Sequence, residues 1–227
     1  MSFVIPPPPT VSLPVTGSTE RFPVGRIFCV GRNYAEHARE MGHDPDKEPP
    51  FFFMKSADTI TSGPTIAYPP QTSDLHFEAE LVVGLKSGGT MIKAEDALQH
   101  VYGYAVGLDM TRRDLQAQMK KMGRPWEVGK SFEQSAPCSP MVPAVKTGHP
   151  SRGAIWLDVD GKRRQNADLA DMIWDVSHQI AFLSALFELK PGDLIMTGTP
   201  AGVGAVARGE RMHAHIDGVG DLEITVV

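Results

Sequence analysis

Three acidic residues within apolar segments are the residues of this sequence best suited to chemistry. Glu78 and Glu80 stand two apart before an apolar run at residues 81–83, and Asp109 ends another mostly apolar run at residues 101–108. Side chains two apart on a strand point the same way, roughly 6.5–7 Å apart along the backbone. Such carboxylates repel each other unless a cation or a shared proton lies between them. The pattern therefore predicts a site for Mg²⁺ or Mn²⁺, with positions left open for water and substrate.

The alternative is a solvated strand face, which is what a lone Glu-x-Glu pair more often indicates. His76 shares the predicted face of both glutamates. On an extended strand, however, it would lie about 13 Å from Glu80 and could not join both glutamates on one ion. We interpret His76 as a supporting or structural histidine.

Three further residues have types that catalysis uses. His37 and Glu40 are neighbours on a helix predicted over residues 33–42. A carboxylate beside an imidazole raises its basicity, so this dyad could deprotonate water, although an exposed amphipathic helix explains the pair equally simply. Lys130 lies among apolar and small residues, which allows partial burial beside carboxylates.

Two other motifs have weaker chemical meaning. Residues 198–204 are glycine-rich and follow a strand, but the lysine of a phosphate-binding loop is missing. The segment either presents backbone N–H groups and Thr199 to a small carboxylate or is a tight turn. His213 and His215 share a strand face, yet no glutamate follows at the spacing of a cupin-type metal site, so we interpret them as structural.

Composition restricts the class of protein. The net charge is −5 and no basic stripe is present, which argues against nucleic acid as a partner. Cys29 and Cys138 are the two cysteines, with neither a disulfide framework nor zinc-ligand spacing. The N-terminus lacks the features of a signal peptide, and no apolar run is as long as a membrane span. We expect a cytoplasmic protein that does not contact membranes.

The chain is predicted to be a single α+β, mainly β domain over residues 26–227, preceded by an extended, proline-rich arm over residues 1–25. The tryptophans Trp126, Trp156 and Trp174 are interpreted as core anchors. Hydrophobic periodicity and turn residues predict helices and strands at these positions: helices 33–42, 111–122 (with Thr111 as N-cap) and 168–189; strands 26–31, 51–56, 193–197, 212–217 and 221–227; and a hairpin over 155–165 with its turn at Asp160-Gly161.

Five segments together resemble the fumarylacetoacetate hydrolase family, in the family's order and over about residues 25–227. They are CVGRNYAEHARE at 29–40, HFEAE at 76–80, GLDMTRRDLQ at 107–116, GKSF at 129–132 and GDLIMTGTPAGVG at 192–204. The resemblance implies a homodimeric mixed β-roll, or pseudo-barrel, of the family's C-terminal domain type. It also implies roles for individual residues: Glu78, Glu80 and Asp109 as ligands of Mg²⁺ or Mn²⁺; His37 and Glu40 as the water-activating dyad; Lys130 as a stabiliser of oxyanion charge; and Arg113, Gln116 and Thr199 as the binding residues for a small-molecule 2-oxo acid.

The chain lacks a long N-terminal domain and a counterpart of a fourth carboxylate ligand, and so resembles the family's short acylpyruvase branch. Within it, the segments around residues 26–35 and 48–53 look most like bacterial fumarylpyruvate hydrolases of gentisate breakdown. The implied reaction is hydrolysis of fumarylpyruvate to fumarate and pyruvate; the alternative is oxaloacetate decarboxylation or 2-oxo/enol diacid isomerisation at the same metal. A fumaryl tail needs a cation for its far carboxylate, and Arg32, Lys55 and Arg124 are candidates, although each is also a typical surface charge.

Overall fold

The computed structural model of this chain describes residues 2–36 and 49–227. The strands are β1 (Ser12–Pro14), β2 (Arg21–Pro23), β3 (Ile27–Gly31), β4 (Phe51–Lys55), β5 (Ile60–Thr61), β6 (Thr65–Ile66), β7 (Leu75–Phe77), β8 (Ala79–Leu85), β9 (Val101–Leu108), β10 (Thr111–Arg112), β11 (Ala136–Pro137), β12 (Val142–Pro143), β13 (Ala154–Val159), β14 (Lys162–Asp168), β15 (Leu194–Met196), β16 (Gly204–Ala205), β17 (Arg211–Ile216) and β18 (Gly220–Val226). The α-helices are α1 (Ala94–Ala97), α2 (Arg113–Met122), α3 (Glu127–Lys130), α4 (Ala144–Thr147) and α5 (Val176–Leu186). Single 3₁₀ turns are Ala57–Thr59, Leu98–His100 and Leu169–Asp171. The predicted α+β, mainly β class is confirmed.

A six-stranded mixed sheet, in the order β12-β9-β8-β15-β3-β4, forms the centre of the fold. One face shares a core with the five-stranded sheet β14-β13-β17-β18-β6. The opposite face is covered in part by the hairpin of β1 and β2, whose Leu13 and Phe22 are buried. Because both faces are covered, β8 is apolar at successive positions: Leu81 and Val83 enter one core and Val82 the other. Within the described residues, no sheet closes into a barrel.

The three proposed metal-ligand carboxylates lie where the chain passes from a small sheet into the central one. The small sheet has the order β10-β7-β16. β7 ends at Phe77 and β8 begins at Ala79, so the predicted continuous strand is interrupted at Glu78. The Asp109 amide donates to the Glu78 carbonyl at 2.9 Å, and Glu80 stands opposite Gly107 in the antiparallel β8–β9 pair. Backbone pairing, rather than one strand face, therefore brings the three residues together.

Strand predictions agree with the structure within a residue or two, except that β14 continues three residues beyond the predicted end of the hairpin, to Asp168. The helix predictions need two corrections. Thr111 is not an N-cap: it forms β10 opposite His76, and α2 begins only at Arg113. α2 ends as predicted at Gly123, which is left-handed at φ +63° and tolerates that conformation without a Cβ clash. The helix predicted over residues 33–42 falls largely outside the described residues.

The helix predicted over residues 168–189 is in fact much shorter. Asp168 and Asp171 cap each other across the 3₁₀ turn, and Asn33 accepts from the amides of Ile173 and Trp174. These bonds hold the backbone outside a helix until Asp175 caps α5 at the His178 amide. Apolar residues at helical spacing before Val176 therefore belong to a turn.

The tryptophans are not core anchors, because Trp126, Trp156 and Trp174 are each only half-buried. Within the part of the chain that is described, no helix has the length and apolarity that crossing a bilayer requires.

Candidate active site

The three predicted carboxylates converge in the interior. Glu78, Glu80 and Asp109 are all buried, and one carboxylate oxygen from each lies within 4.8 Å of the others. Hard oxygen donors at this spacing suit a hard divalent cation such as Mg²⁺ or Mn²⁺. The solvated strand face considered as the alternative is therefore wrong.

Two lysine ammonium groups and one guanidinium contact this acidic cluster. The Lys130 Nζ donates to Glu78 Oε2 and Asp109 Oδ2, at 2.7 Å each. The Lys55 Nζ lies 2.8 Å from Asp109 Oδ1, and the Arg113 Nη2 donates to Glu78 Oε1 at 2.5 Å. When all groups are ionised, three cations balance three carboxylates. Burial without such pairing would be strongly unfavourable for each of these charges.

Lys55, considered from the sequence as a cation for the far end of the substrate, instead contacts a carboxylate of the acidic cluster. The residue is 1% exposed, so the alternative interpretation of Lys55 as a surface charge is wrong. Besides facing Asp109, the ammonium donates to the carbonyls of Met110 and Lys130 and to Ser135 Oγ. The signal available in the sequence is a lysine that directly ends the apolar strand β4, since a charged end to a buried strand needs a buried partner.

The protonation of the cluster depends on burial and on charge spacing. Burial, followed by the charges of Asp109 and Glu78, raises the pKa of Glu80 well above its usual value. Burial lowers the pKa of Lys130, but Asp109 and Glu78 outweigh that effect and leave it raised. Asp109 Oδ1 receives no hydrogen bond of acceptable geometry although Lys55 is close. An additional cation would relieve the repulsion at Glu80 and would give Asp109 Oδ1 a further partner. The residues present therefore fit a divalent ion.

The predicted substrate-binding residues lie around the same cluster. Arg113 and Gln116 are three apart on α2, and the Arg113 Nη1 donates to Gln116 Oε1 at 2.5 Å. Thr199 donates its hydroxyl to the Ala79 carbonyl and accepts from Gln165 Nε2. Arg113, Gln116 and Thr199 line one cavity together with the three carboxylates and Lys130.

His76 supports the cluster from behind, as the sequence predicts. Its Nδ1 accepts from Arg113 Nε at 3.3 Å, and Arg113 in turn contacts Glu78. Asp74 accepts from the other ring nitrogen at 2.9 Å. Burial, followed by the charge of Arg113, lowers the pKa of His76, which favours the neutral ring that can accept from Arg113.

The glycine-rich loop forms the tight turn considered for it, and one of its N–H groups binds a carboxylate of the protein itself. Gly198 and Gly202 have φ of +94° and +91°, as a tight turn requires. The Gly198 N–H is directed at Glu80 Oε2 at 2.8 Å. The loop therefore orients a carboxylate of the protein itself through this N–H.

Two adjacent cavities lie at and beside the cluster. The inner cavity, of about 50 Å³, contains the carboxylates. The outer cavity, of about 570 Å³, is lined mainly by aromatic and basic side chains. The residues common to both, which we call the neck, are Arg32, Phe51, Phe53 and Trp126. His37 and Glu40 lie outside the described residues.

Known proteins are similar to this chain in both sequence and fold. The profile of the family "Fumarylacetoacetate (FAA) hydrolase C-terminal" matches residues 26–227. A fumarylpyruvate hydrolase from a Ralstonia species is 44% identical over 189 residues, which cover 82% of this chain and 98% of that protein. The oxaloacetate tautomerase YcgM of Escherichia coli is 39% identical over 205 residues, covering 89% of this chain and 93% of that protein. The crystal structure of fumarylpyruvate hydrolase from Pseudomonas aeruginosa in complex with Mn²⁺ and pyruvate has a TM-score of 0.98 at 55% identity, covering 100% of this chain and 99% of that one.

Proposed function

This chain belongs to the fumarylacetoacetate hydrolase family, and we propose that it is a metal-dependent enzyme that hydrolyses a carbon–carbon bond of an acylpyruvate. The substrate that fits best is fumarylpyruvate, cleaved to fumarate and pyruvate. The observation that carries the proposal is the buried triad of Glu78, Glu80 and Asp109 beside Lys130, in a protein with 55% identity to a fumarylpyruvate hydrolase. The same reaction would place the protein in breakdown of aromatic compounds.

Glu78, Glu80 and Asp109 are proposed to hold Mg²⁺ or Mn²⁺. The ion would supply Lewis-acid polarisation and a template for the carboxylate and 2-oxo group of the substrate. Gly198 orients Glu80 and Lys55 orients Asp109 for this purpose. Such outer contacts fix the direction of a ligand oxygen and maintain its charge.

Lys130 is proposed to stabilise the leaving group. Cleavage expels pyruvate with its electrons on oxygen, which is unfavourable unless positive charge faces that oxygen. The Lys130 ammonium is buried and kept charged by Glu78 and Asp109, so its charge is present before the reaction begins. Arg113, Gln116 and Thr199 are proposed to orient the 2-oxo acid end, since they line the same cavity.

His37 and Glu40 are proposed to activate the attacking water. In sequence they lie between Arg32 and Phe51, which both line the cavity. The imidazole would take a proton from water as the oxygen adds to the distal ketone, and Glu40 would stabilise the resulting imidazolium. General-base catalysis of this kind typically contributes about 10²–10⁴-fold in rate.

We further propose one catalytic domain over residues 26–227 with residues 1–25 as its arm, in a cytoplasmic homodimer. Phe182, Leu186 and Phe187 are exposed at the end of α5, an apolar surface that a second copy would cover. Light scattering would then give twice the mass of the 24.7 kDa chain. A monomeric mass at micromolar concentration would exclude the dimer.

A second candidate is isomerisation or decarboxylation of oxaloacetate at the same site. The specific observation in its favour is the 39% identity to an oxaloacetate tautomerase. Because neither reaction adds water to a ketone, the His37–Glu40 dyad distinguishes the candidates.

The test is a substrate panel with saturating Mg²⁺, containing fumarylpyruvate, acetylpyruvate and oxaloacetate. Loss of enol absorbance gives the rate and chromatography identifies the products. We expect fumarate and pyruvate in equal amounts, and a loss of at least about 10²-fold in His37→Ala. Turnover of oxaloacetate alone, unaffected by His37→Ala, would select the second candidate.

A further inference from the structure

We propose that Arg32 binds the far carboxylate of the acyl group and so makes the enzyme selective for acylpyruvates with an acidic tail. The proposal rests on the proposed function and names the part of the substrate that the described site residues leave unassigned. It makes Arg32 a specificity-determining residue at the neck between the two cavities.

The size of the inner cavity requires a substrate tail to extend beyond it. A volume of about 50 Å³ is room for only a few water-sized groups. The pyruvyl end would fill it, because the carboxylate triad, Lys130 and Arg113 are all on its walls. The acyl group must then pass the neck towards the outer cavity.

The neck is complementary in shape and chemistry to a planar, unsaturated acid. Phe51 and Trp126 meet edge to face with ring centroids 5.2 Å apart, and Phe53 lies 5.8 Å from Trp126. These rings give the neck apolar walls that a flat alkene can contact. The Arg32 guanidinium lies 5.0 Å from the Phe51 centroid, where it can meet a carboxylate at the end of that alkene. A guanidinium donates two parallel hydrogen bonds to a carboxylate, which a lysine does not.

The backbone of Arg32 fixes the direction in which its side chain leaves β3. Its φ is +60°, in the left-handed region that residues other than glycine seldom adopt. Conformations of this kind concentrate at binding sites, where the surrounding structure holds them in place. At Arg32 the turn directly follows the buried strand β3 and places the side chain at the neck.

The other candidate cations fit the position less well. Lys55 is buried behind Asp109 and lines neither cavity. Arg124 is exposed and lines the outer cavity but not the inner one. Lys120 lines the inner cavity but not the outer one. Among the described residues, Arg32 is the one cationic side chain that lines both.

The experiment compares kcat/KM for fumarylpyruvate with that for acetylpyruvate, which lacks the far carboxylate. Arg32→Gln should lower the fumarylpyruvate value by about 10–100-fold, the loss expected for charge-assisted hydrogen bonds, and the acetylpyruvate value by less than about threefold. Arg32→Lys retains the charge without the planar fork and should lie between Arg32→Gln and the wild type. Arg124→Gln tests the nearest rival cation and should change neither value by more than about threefold.

Calorimetric affinity for oxalate, a mimic of the 2-oxo acid end, verifies that each variant keeps its inner site. Equal losses for both substrates, or a larger selective loss in Arg124→Gln, would overturn the role of Arg32. If the wild-type protein hydrolyses neither compound, the proposed function fails, but both compounds are then stable ligands. Their dissociation constants replace kcat/KM in the same comparison, and an affinity for fumarylpyruvate that is unchanged in Arg32→Gln, or no binding at all, overturns the subsite.

Discussion

Two clusters of metal-ligating residue types in this molecule have opposite surroundings. The buried cluster of Glu78, Glu80 and Asp109 is surrounded by lysine and arginine. On the exposed side of the β17–β18 pair, Asp221 instead lies 2.8 Å from His213 and 2.9 Å from His215. The carboxylate of Asp221 is 53% exposed, whereas that of Asp109 is 1% exposed.

The difference in burial reverses the behaviour of the carboxylates. Burial and two neighbouring acids raise the pKa of Glu80. Burial also raises the pKa of Asp221, but hydrogen bonds from His213 and His215 outweigh it and leave the value below the usual range. In the surface cluster, the charge of Asp221 is therefore stabilised by its two histidine partners without a metal ion. His215 is also stacked on Trp156, with ring centroids 5.1 Å apart. In the buried cluster, the charges of Asp109 and Glu78 still act against ionisation of Glu80, so residue type alone does not identify a metal site.

The largest effect is expected from removing one ligand charge of the buried cluster. Glu80→Gln should reduce turnover by on the order of 10³-fold or more, because the ion loses a ligand and the substrate loses its template. In the absence of metal its Tm should change little, since glutamine resembles the protonated acid that the raised pKa of Glu80 favours. Thermal unfolding with and without Mn²⁺ checks this.

In the wild-type protein, Mn²⁺ at 100 times its Kd should add about 2.7 kcal/mol of stability. Glu80→Gln should show almost none of that gain. The same gain in the variant would remove Glu80 from the ligand set.

The next effect concerns the cation that faces the reaction. Lys130→Met should lower kcat by about 10²–10³-fold, because positive charge is lost where the leaving oxygen becomes negative. Without metal the variant should also unfold more easily, by about 3–5 kcal/mol, since Glu78 and Asp109 lose a buried partner. Mn²⁺ should restore much of that stability. Normal turnover would show that Lys130 only balances charge.

A smaller effect on chemistry is expected for the cation behind the ligands. Lys55 lines neither cavity, so Lys55→Met should act through the orientation of Asp109. We expect about 10–100-fold weaker Mn²⁺ binding, the usual loss when a partner of a metal ligand is removed. At saturating Mn²⁺, kcat should largely recover. A loss of kcat that saturating Mn²⁺ does not reverse would indicate direct participation.

The smallest effect is expected in the surface cluster. Asp221→Asn should cost less than about 1 kcal/mol at neutral pH, as is typical of exposed ion pairs, with turnover unchanged. Because the folded-state pKa of Asp221 is lowered, its contribution is fully present above the unfolded value near 3.9 and is lost as pH falls through the lowered folded-state pKa. Urea unfolding in a pH series from 7 downwards should therefore show a difference between variant and wild type that shrinks as the solution becomes more acidic than about pH 4. A difference that grows as the pH falls would contradict the assignment.

The local sequence pattern was sufficient to predict the carboxylate cluster and most strands. Glu78, Glu80 and Asp109 stand next to apolar runs. If those runs are buried strands, the three carboxylates must lie at the edge of a core. Strand positions follow from alternation and turn residues, as in the hairpin, where Asp160 and Gly161 both have positive φ.

Contacts distant in sequence determined what the pattern missed. Lys55 is buried because Asp109 and the carbonyl of Lys130 meet it from other parts of the chain. The early start predicted for α5 is wrong because Asn33, far away in sequence, binds the backbone at Ile173 and Trp174. Neither partner can be recognised from one-dimensional spacing.

The most direct measurement is the anomalous difference map of crystals grown with Mn²⁺. We expect one strong peak within bonding distance of oxygens from Glu78, Glu80 and Asp109, with Lys130 adjacent, and no peak in crystals of Glu80→Gln. A peak at His213 and Asp221 instead, or none between the three buried carboxylates, would contradict it.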